Sequence, residues 1–525
     1  MTKQIRIIRL LLILTMSGFT LAGCGNSTKP ETTQAASAAA QAAAETTQAA
    51  SEAAQTAAAS DKPVTLKYYL IGDEQKSSKA VWDEINKKMQ ADINTTIQPI
   101  IIPWADYSTK YPLIFASGED FDMAWTGNWV GYADISSKGG FMEITQDMIN
   151  KYCPDASKQL PAEAFKQAKI NGKLYMIPFG EKTSDNNCVI IRGDLREKYN
   201  LPPISSLDVL EKYCDAIVKN ESGIIPMADF GPTSSQMVNE IVYRMNHATM
   251  LAAAPFLDYD FTVADPAFTF VSDGPKFVDS INKLQDYMDR GYFPKSALTS
   301  KSVRGEEFQA GRGGLVFQNL NDCVALFQEV SKAHPEWKIE MADANFGGKI
   351  ATQPAIVHGT AIHATSKNPD RVLMATELLA YHEDYNHLVL YGIEGKDYNN
   401  VDGAYEPLGT DYVGTNYSTW AFRGNYLLKL TNSIPSYDSI YKYQIDNLVT
   451  SPLCAFSLVT TNIKSELAAC NDIWNTKADI LFFSKVPDVS KGIADLNASL
   501  KSAGADKIMT EANTQAKSYL AEYNK

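Results

Sequence analysis

Val64-Thr-Leu-Lys-Tyr-Tyr-Leu70 opens the stretch of residues 64–125 whose reading decides the fold. Val64, Leu66, Tyr68 and Leu70 alternate with polar or smaller partners, as one face of a strand requires, and Gly72 ends the run. Ser77 or Ser78 is placed to cap a helix on which Val81, Ile85 and Met89 share one face. Ile97 and Ile100 to Ile102 make a second strand, stopped by Pro103. A second helix runs from Tyr107 to Phe115 and ends near Gly118, and Phe121 to Trp125 is a short buried strand. The order βαβαβ predicts an α/β fold with a parallel sheet and right-handed crossovers.

Ligands of open parallel sheets sit beyond the carboxyl ends of the strands. Three loops are predicted there: Gly72-Asp-Glu-Gln75, Pro103-Trp-Ala-Asp106 and Thr126-Gly-Asn-Trp129. Each offers polar groups and two carry a tryptophan, whose flat apolar face and polar edge suit the C–H faces and hydroxyl rims of sugars. Glu74, Trp104, Thr126, Asn128 and Trp129 are therefore the first candidate binding residues.

Upstream, Lys3, Arg6 and Arg9 precede an apolar run that starts at Leu10 and reaches about Phe19. It is too short to span a bilayer, which takes about 20 apolar residues, and reads as a secretion signal. It ends in Leu21-Ala-Gly-Cys24, which resembles the bacterial lipobox. That resemblance implies cleavage before Cys24 and a diacylglyceryl group on its sulfur, hence a protein anchored by lipid to the outer face of the cell membrane. Residues 25–60 contain no aromatic, Val, Ile or Leu, and Glu31-Thr-Thr-Gln-Ala-Ala-Ser37 recurs at Glu45 to Ser51. Such a segment buries no core. As a coil, its 36 residues would reach roughly 33 Å.

Loss of residues 1–23 removes three positive charges from a chain of net charge −13, leaving −16. This balance excludes nucleic acid and anionic membrane surfaces as partners. The roughly 465 residues beyond the tether exceed the usual size of one core, so two or more lobes are expected. Cys153, Cys188, Cys214, Cys323, Cys454 and Cys470 form no C-x-x-C pair and read as free, mostly buried thiols, with a Cys454–Cys470 bridge as the alternative. His382 and His387 stand five apart, which turns them to different sides of a helix rather than together onto zinc. There is no G-x-S-x-G elbow and no P-loop, and Gly311-Arg-Gly-Gly-Leu-Val316 reads as a turn before a buried strand. No catalytic residue, metal or cofactor is expected.

Further motifs carry a resemblance. Phe121-Asp-Met-Ala-Trp-Thr-Gly-Asn-Trp129, Gly139-Gly-Phe-Met-Glu-Ile144 and Asn171-Gly-Lys-Leu-Tyr-Met-Ile-Pro178 come first. Arg192-Gly-Asp-Leu-Arg-Glu-Lys-Tyr199, Phe308-Gln-Ala-Gly-Arg-Gly-Gly-Leu-Val-Phe317 and His358-Gly-Thr-Ala-Ile362 with Ser366-Lys-Asn-Pro369 follow. In this order they resemble the family 1 extracellular solute-binding proteins, the maltose-binding-protein-like group. Tyr391-Gly-Ile-Glu-Gly-Lys-Asp-Tyr398, Thr450-Ser-Pro-Leu453 and Ala503-Gly-Ala-Asp-Lys-Ile508 resemble a Gram-positive-type lipoprotein branch with an added C-terminal domain. The resemblance implies a two-lobed periplasmic-binding-protein-like fold with a hinge and an interlobe cleft. Lobe 1 would comprise residues 62–180 plus about 350–400, and lobe 2 about 181–349 plus about 401–525. The expected partners are a small solute, an oligosaccharide before a peptide, and the subunits of an ABC permease, with the protein itself a monomer. From the crossover and second lobe come Glu181, Gln318, Asn319 and Asn321, from the return His358, and from an aromatic segment that would cover the site Trp420 and Arg423. Two other readings stay open: a surface glycoside hydrolase using a carboxylate pair such as Glu74 and Glu181, and a sensory binding protein without a transport role.

Overall fold

The computed structural model describes residues 62–179, 187–232, 236–243, 246–302, 305–412, 422, 426–430 and 434–523. In chain order, the elements that frame the site begin with β1 (Val64–Ile71), α1 (Ser78–Ile93), β2 (Thr95–Ile102), α2 (Tyr107–Ala116) and β3 (Met123–Thr126). The short helices α3 (Tyr132–Ser137) and α4 (Ala162–Gln167) and the strand β4 (Met176–Pro178) follow. Next come β5 (Asn187–Ile191), β6 (Leu315–Asn319), α5 (Leu320–Ala333), β7 (Glu340–Asp343), β8 (Gly359–Ile362) and α6 (Pro369–Tyr381). Three helices close the chain: α7 (Lys464–Phe483), α8 (Val489–Ser502) and α9 (Ala505–Tyr523).

The first sheet has the order β2-β1-β3-β8-β4. β1 pairs in parallel with β2 and with β3, as the βαβαβ pattern predicts, while β8 runs antiparallel to both β3 and β4. The sheet is therefore mixed. Its buried face follows the alternation of β1, with Leu66, Tyr68 and Leu70 fully buried, and α1 lays Val81, Ile85 and Met89 into the same core. Ser77 sits at the start of α1 but its hydroxyl makes no capping bond, contrary to the expected cap. The Ser78 hydroxyl instead accepts the Gln75 N–H at 2.9 Å, and the Ser77 N–H goes to the Asp411 carbonyl. The exposed edge at β2 is protected. The Asn86 side chain donates to the Ile97 carbonyl at 2.8 Å and accepts its N–H at 2.6 Å, and Pro99 has no N–H to offer a neighbouring chain.

A second sheet, β6-β5-β7, is antiparallel throughout. Both faces are covered. Val189 and Ile191 of β5 point into a large core and Cys188 and Ile190 into a smaller one, as a side-chain period of two dictates. The large core extends into α7, α8 and α9 through Cys470, Trp474, Leu496, Ile508 and Ala512. The first core gathers residues from Leu66 to Phe179 and from Ile356 to Phe422, with Ala455 as an outlier in sequence. All six described cysteines are free, five buried and Cys454 partly so. No helix among the described residues is long and apolar enough to cross a membrane.

Candidate functional site

At one end of the first sheet the chain leaves β1, β2 and β3 and returns into β8. Register places Gly359 of β8 opposite both Thr126 of β3 and Pro178 of β4. The loops that leave β3 and enter β8 are clasped together. The Asn128 N–H donates to the Ile356 carbonyl at 2.9 Å, and the Trp129 indole N–H donates to the Val357 carbonyl at 3.1 Å. Gly127 is required here, because a Cβ would lie 2.0 Å from the Val357 oxygen. The Phe179 N–H bonds to the His358 carbonyl at 2.9 Å, which joins the end of β4 to the same loop.

These loops hold an aromatic group. The Trp104 and Trp129 rings lie 6.2 Å apart and within 18° of parallel. Tyr107 meets Trp104 edge-on at 5.7 Å and Trp129 at 6.0 Å. Buried Trp125 packs against Trp129 at 5.4 Å, and its ring lies 5.7 Å from the His358 imidazole at an interplanar angle of 23°. Trp104, Asn128, Trp129 and His358 are all half-buried, so each keeps solvent-facing area. The level below is buried and hydrogen-bonded. Tyr111 donates to the Trp125 carbonyl at 2.6 Å, and burial pushes its phenol well above the usual range, so it stays a donor. The Tyr68 hydroxyl meets that of Thr360 at 2.7 Å.

The structure brings together Trp104, Asn128, Trp129 and His358 of the predicted set. Thr126 belongs to the same strand end but is fully buried. Glu74 is exposed and lines a groove of about 670 Å³ with Trp82, Asn86, Gln98 and Pro103 beside edge strand β2. In the second sheet Gln318 is buried, its amide nitrogen beside Gly305. Asn319 caps α5: its carbonyl oxygen accepts the Asp322 N–H at 3.0 Å and its amide donates to the Asp322 carboxylate at 2.7 Å. Cys24, Glu181, Trp420 and Arg423 lie outside the described residues, as does the side chain of Asn321.

Two contributors, Tyr107 and Trp125, are not among the residues the sequence marks for binding. The sequence places them in a helix and a strand; a tyrosine three residues after Trp104, at a strand end, is the available signal. Asp343 and Asn345, at the end of β7, form a second polar group. The Asp343 carboxylate accepts the Asn345 N–H at 2.9 Å and its amide at 2.7 Å, and burial raises the Asp343 pKa despite those bonds. Among the described residues one cluster gathers metal-type ligands: Asp155, Glu377 and His382, with donor atoms within 4.8 Å of one another. Its carboxylates already hold hydrogen-bond and ion-pair partners. Glu377 accepts the N–H groups of Asp155 and Ala156, and Asp155 pairs with Lys158 at 2.7 Å and His382 at 3.3 Å. His387 meets the Tyr426 carbonyl at 2.8 Å, away from that cluster.

What the arrangement offers is a half-exposed aromatic surface edged by amide and imidazole groups. The chain as a whole is similar to known proteins. Residues 71–381 match the family described as bacterial extracellular solute-binding protein, and residues 452–521 match a domain of unknown function, DUF3502. A carbohydrate ABC transporter substrate-binding protein of Streptococcus pneumoniae is 24% identical over 481 residues, covering 88% of this chain and 92% of that one. Among solved structures, the N-glycan transport solute binding protein NgtS of Streptococcus pneumoniae aligns with a TM-score of 0.71 at 22% identity, over 88% of this chain and 99% of that one. The same protein in complex with Man5GlcNAc aligns at 0.65. The alginate-binding protein AlgQ2 aligns at 0.64 with 17% identity, over 87% of this chain and 99% of that one.

Proposed function

The chain belongs to the bacterial extracellular solute-binding proteins, and on that premise we propose that it captures an oligosaccharide on the Trp104–Trp129 surface and delivers it to an ABC permease. One observation carries the reading: two half-buried indoles, 6.2 Å apart and within 18° of parallel, are held at the carboxyl ends of the parallel strands β1, β2 and β3. The Trp129 N–H is already bonded to Val357, so that ring presents its face, not a donor. An apolar face supports stacking on sugar C–H groups, while Asn128 and His358 are placed to meet hydroxyls. The relatives whose names mention carbohydrates, N-glycans and alginate support the same class of ligand. The site works by binding and lobe closure and needs no nucleophile, so the protein is read as a binder rather than a hydrolase.

A thermal-shift panel of neutral N-glycan fragments, uronate oligosaccharides and peptides tests this. A ligand at 100 times its Kd stabilises by about 2.7 kcal/mol. A shift with peptides alone overturns the proposal, and sugar release during incubation restores the hydrolase. The lipid anchor at Cys24 is part of the proposal, supported by the Leu21-Ala-Gly-Cys24 sequence. Cys24→Ser releases the folded protein from the membrane fraction if the anchor is real; retention of the processed variant in membranes refutes it.

A further inference from the structure

The region matched to a domain of unknown function begins where the chain leaves Ser451. Its first residues pass between the two large cores. Leu453, Phe456 and Leu458 are buried in the second core, while Ala455, 2% exposed, is buried in the first. The Phe456 ring meets Phe268 at 5.4 Å and Tyr519 of α9 at 5.9 Å. Gln515 of α9 holds Val459 by both its N–H and its carbonyl, each at 2.9 Å. This end of the segment is thus fixed to the second core and the terminal helices.

Two chains of contacts lead from the segment to Trp129. In the first, the Thr460 N–H and hydroxyl both donate to the Asp134 carboxylate, at 2.9 and 2.8 Å. Asp134 lies in α3, which starts directly after the Asn128-Trp129 turn and is tied to it by the Tyr132 N–H on the Gly127 carbonyl at 3.3 Å. In the second, the Gln167 amide reaches the Cys454 sulfur at 3.7 Å, and its carbonyl oxygen accepts the Ala355 N–H at 2.7 Å. Ala355 opens the turn whose Ile356 and Val357 carbonyls hold Asn128 and the Trp129 indole. The first route ends on the backbone of the Gly127–Trp129 turn and the second on the carbonyls that hold Asn128 and the Trp129 indole, one from each side of the β3–β8 clasp.

We propose that residues 451–523 are an interlobe brace that positions Trp129, with Thr460, Asp134 and Gln167 as positioning residues that act on the ligand through it. The proposal rests on the reading of the Trp104–Trp129 surface as the binding site. It gives the C-terminal region a role: the segment fixes the aromatic platform of one core relative to the helices of the other, so movement between the cores is felt at the platform.

The test uses the full mature chain and a readout that needs no ligand. Acrylamide quenching of tryptophan emission is measured for wild type, Asp134→Ala and Thr460→Val, each repeated with Trp129→Phe so that the Trp129 contribution is obtained by difference. The brace predicts that the quenching constant of Trp129 rises about twofold in both variants, and that binding of the probe Man5GlcNAc weakens about fivefold. Thr460→Val keeps the backbone bond and the side-chain shape, so it decides the matter if Asp134→Ala does not fold. A drop in Tm with Trp129 quenching unchanged marks the contact as merely structural and overturns the proposal. Increased quenching in a protein whose wild type binds no oligosaccharide upholds the brace and refutes the ligand instead.

Discussion

Trp129→Ala removes the ring that touches Trp104, Tyr107 and Trp125, together with the indole bond to Val357. A net hydrogen bond is worth about 1 kcal/mol and an aromatic pair about 0.5–1.5 kcal/mol beyond its area. Because Trp129 is half-buried, the loss of stability is placed near 2–3 kcal/mol, below the range for a fully buried tryptophan. The folded state should survive with Tm lowered by several degrees. Loss of one stacked sugar face, roughly 80 Å² at about 25 cal/mol/Å², costs about 2 kcal/mol. That is about a thirtyfold rise in Kd. Differential scanning fluorimetry and isothermal titration with the oligosaccharide that shifts Tm most measure the two quantities on one sample. A folded Trp129→Ala protein whose affinity stays within twofold of wild type refutes the platform.

Gly127→Ala should be worse than Trp129→Ala, because its Cβ would lie 2.0 Å from the Val357 oxygen; thermal melting should show a loss above about 3 kcal/mol. Asp122 accepts the Lys67 N–H at 3.1 Å, the Ser366 hydroxyl at 2.7 Å and the Asn368 amide at 2.9 Å. Asp122→Ala therefore leaves several donors unpaired and should cost about 3 kcal/mol, read from urea unfolding. Burial pushes the Asp258 and Asp479 carboxyls up to about 6. A raised carboxyl binds its proton longer folded than unfolded, so each contribution to stability falls as pH rises from about 4 to about 6 and stays low above. Asp258→Asn should accordingly raise Tm at neutral pH and change little near pH 4, provided the amide keeps the Thr269 bond at 3.2 Å.

The parallel half of the first sheet was legible because its pattern is local. Val64 to Trp125 writes alternation, helical spacing and stops within one continuous stretch. The antiparallel strands β4 and β8 were not, since they are three and four residues long, and β8 finds both β3 and β4 across sequence gaps that no periodicity spans. Nor could the sequence show that the start of α1 is tied through the Ser77 N–H to the Asp411 carbonyl, more than 300 residues away. In the site, Trp104 and Trp129 could be named because strand ends gather there. That the Trp129 indole is fixed by Val357, 228 residues on, could not be seen in the sequence. Asn319 shows the opposite failing. Its Asn-Leu-Asn-Asp322 context is a helix start, and in the structure the side chain serves as that cap.

Ligand is expected on the Trp104–Trp129 surface. A crystal structure of the mature chain with the oligosaccharide that stabilises it most tests it directly. The account predicts a sugar ring against the Trp104 or Trp129 face, with hydroxyls toward Asn128 or His358. An oligosaccharide bound instead in the Glu74 groove beside β2, with both indoles uncovered, would contradict it.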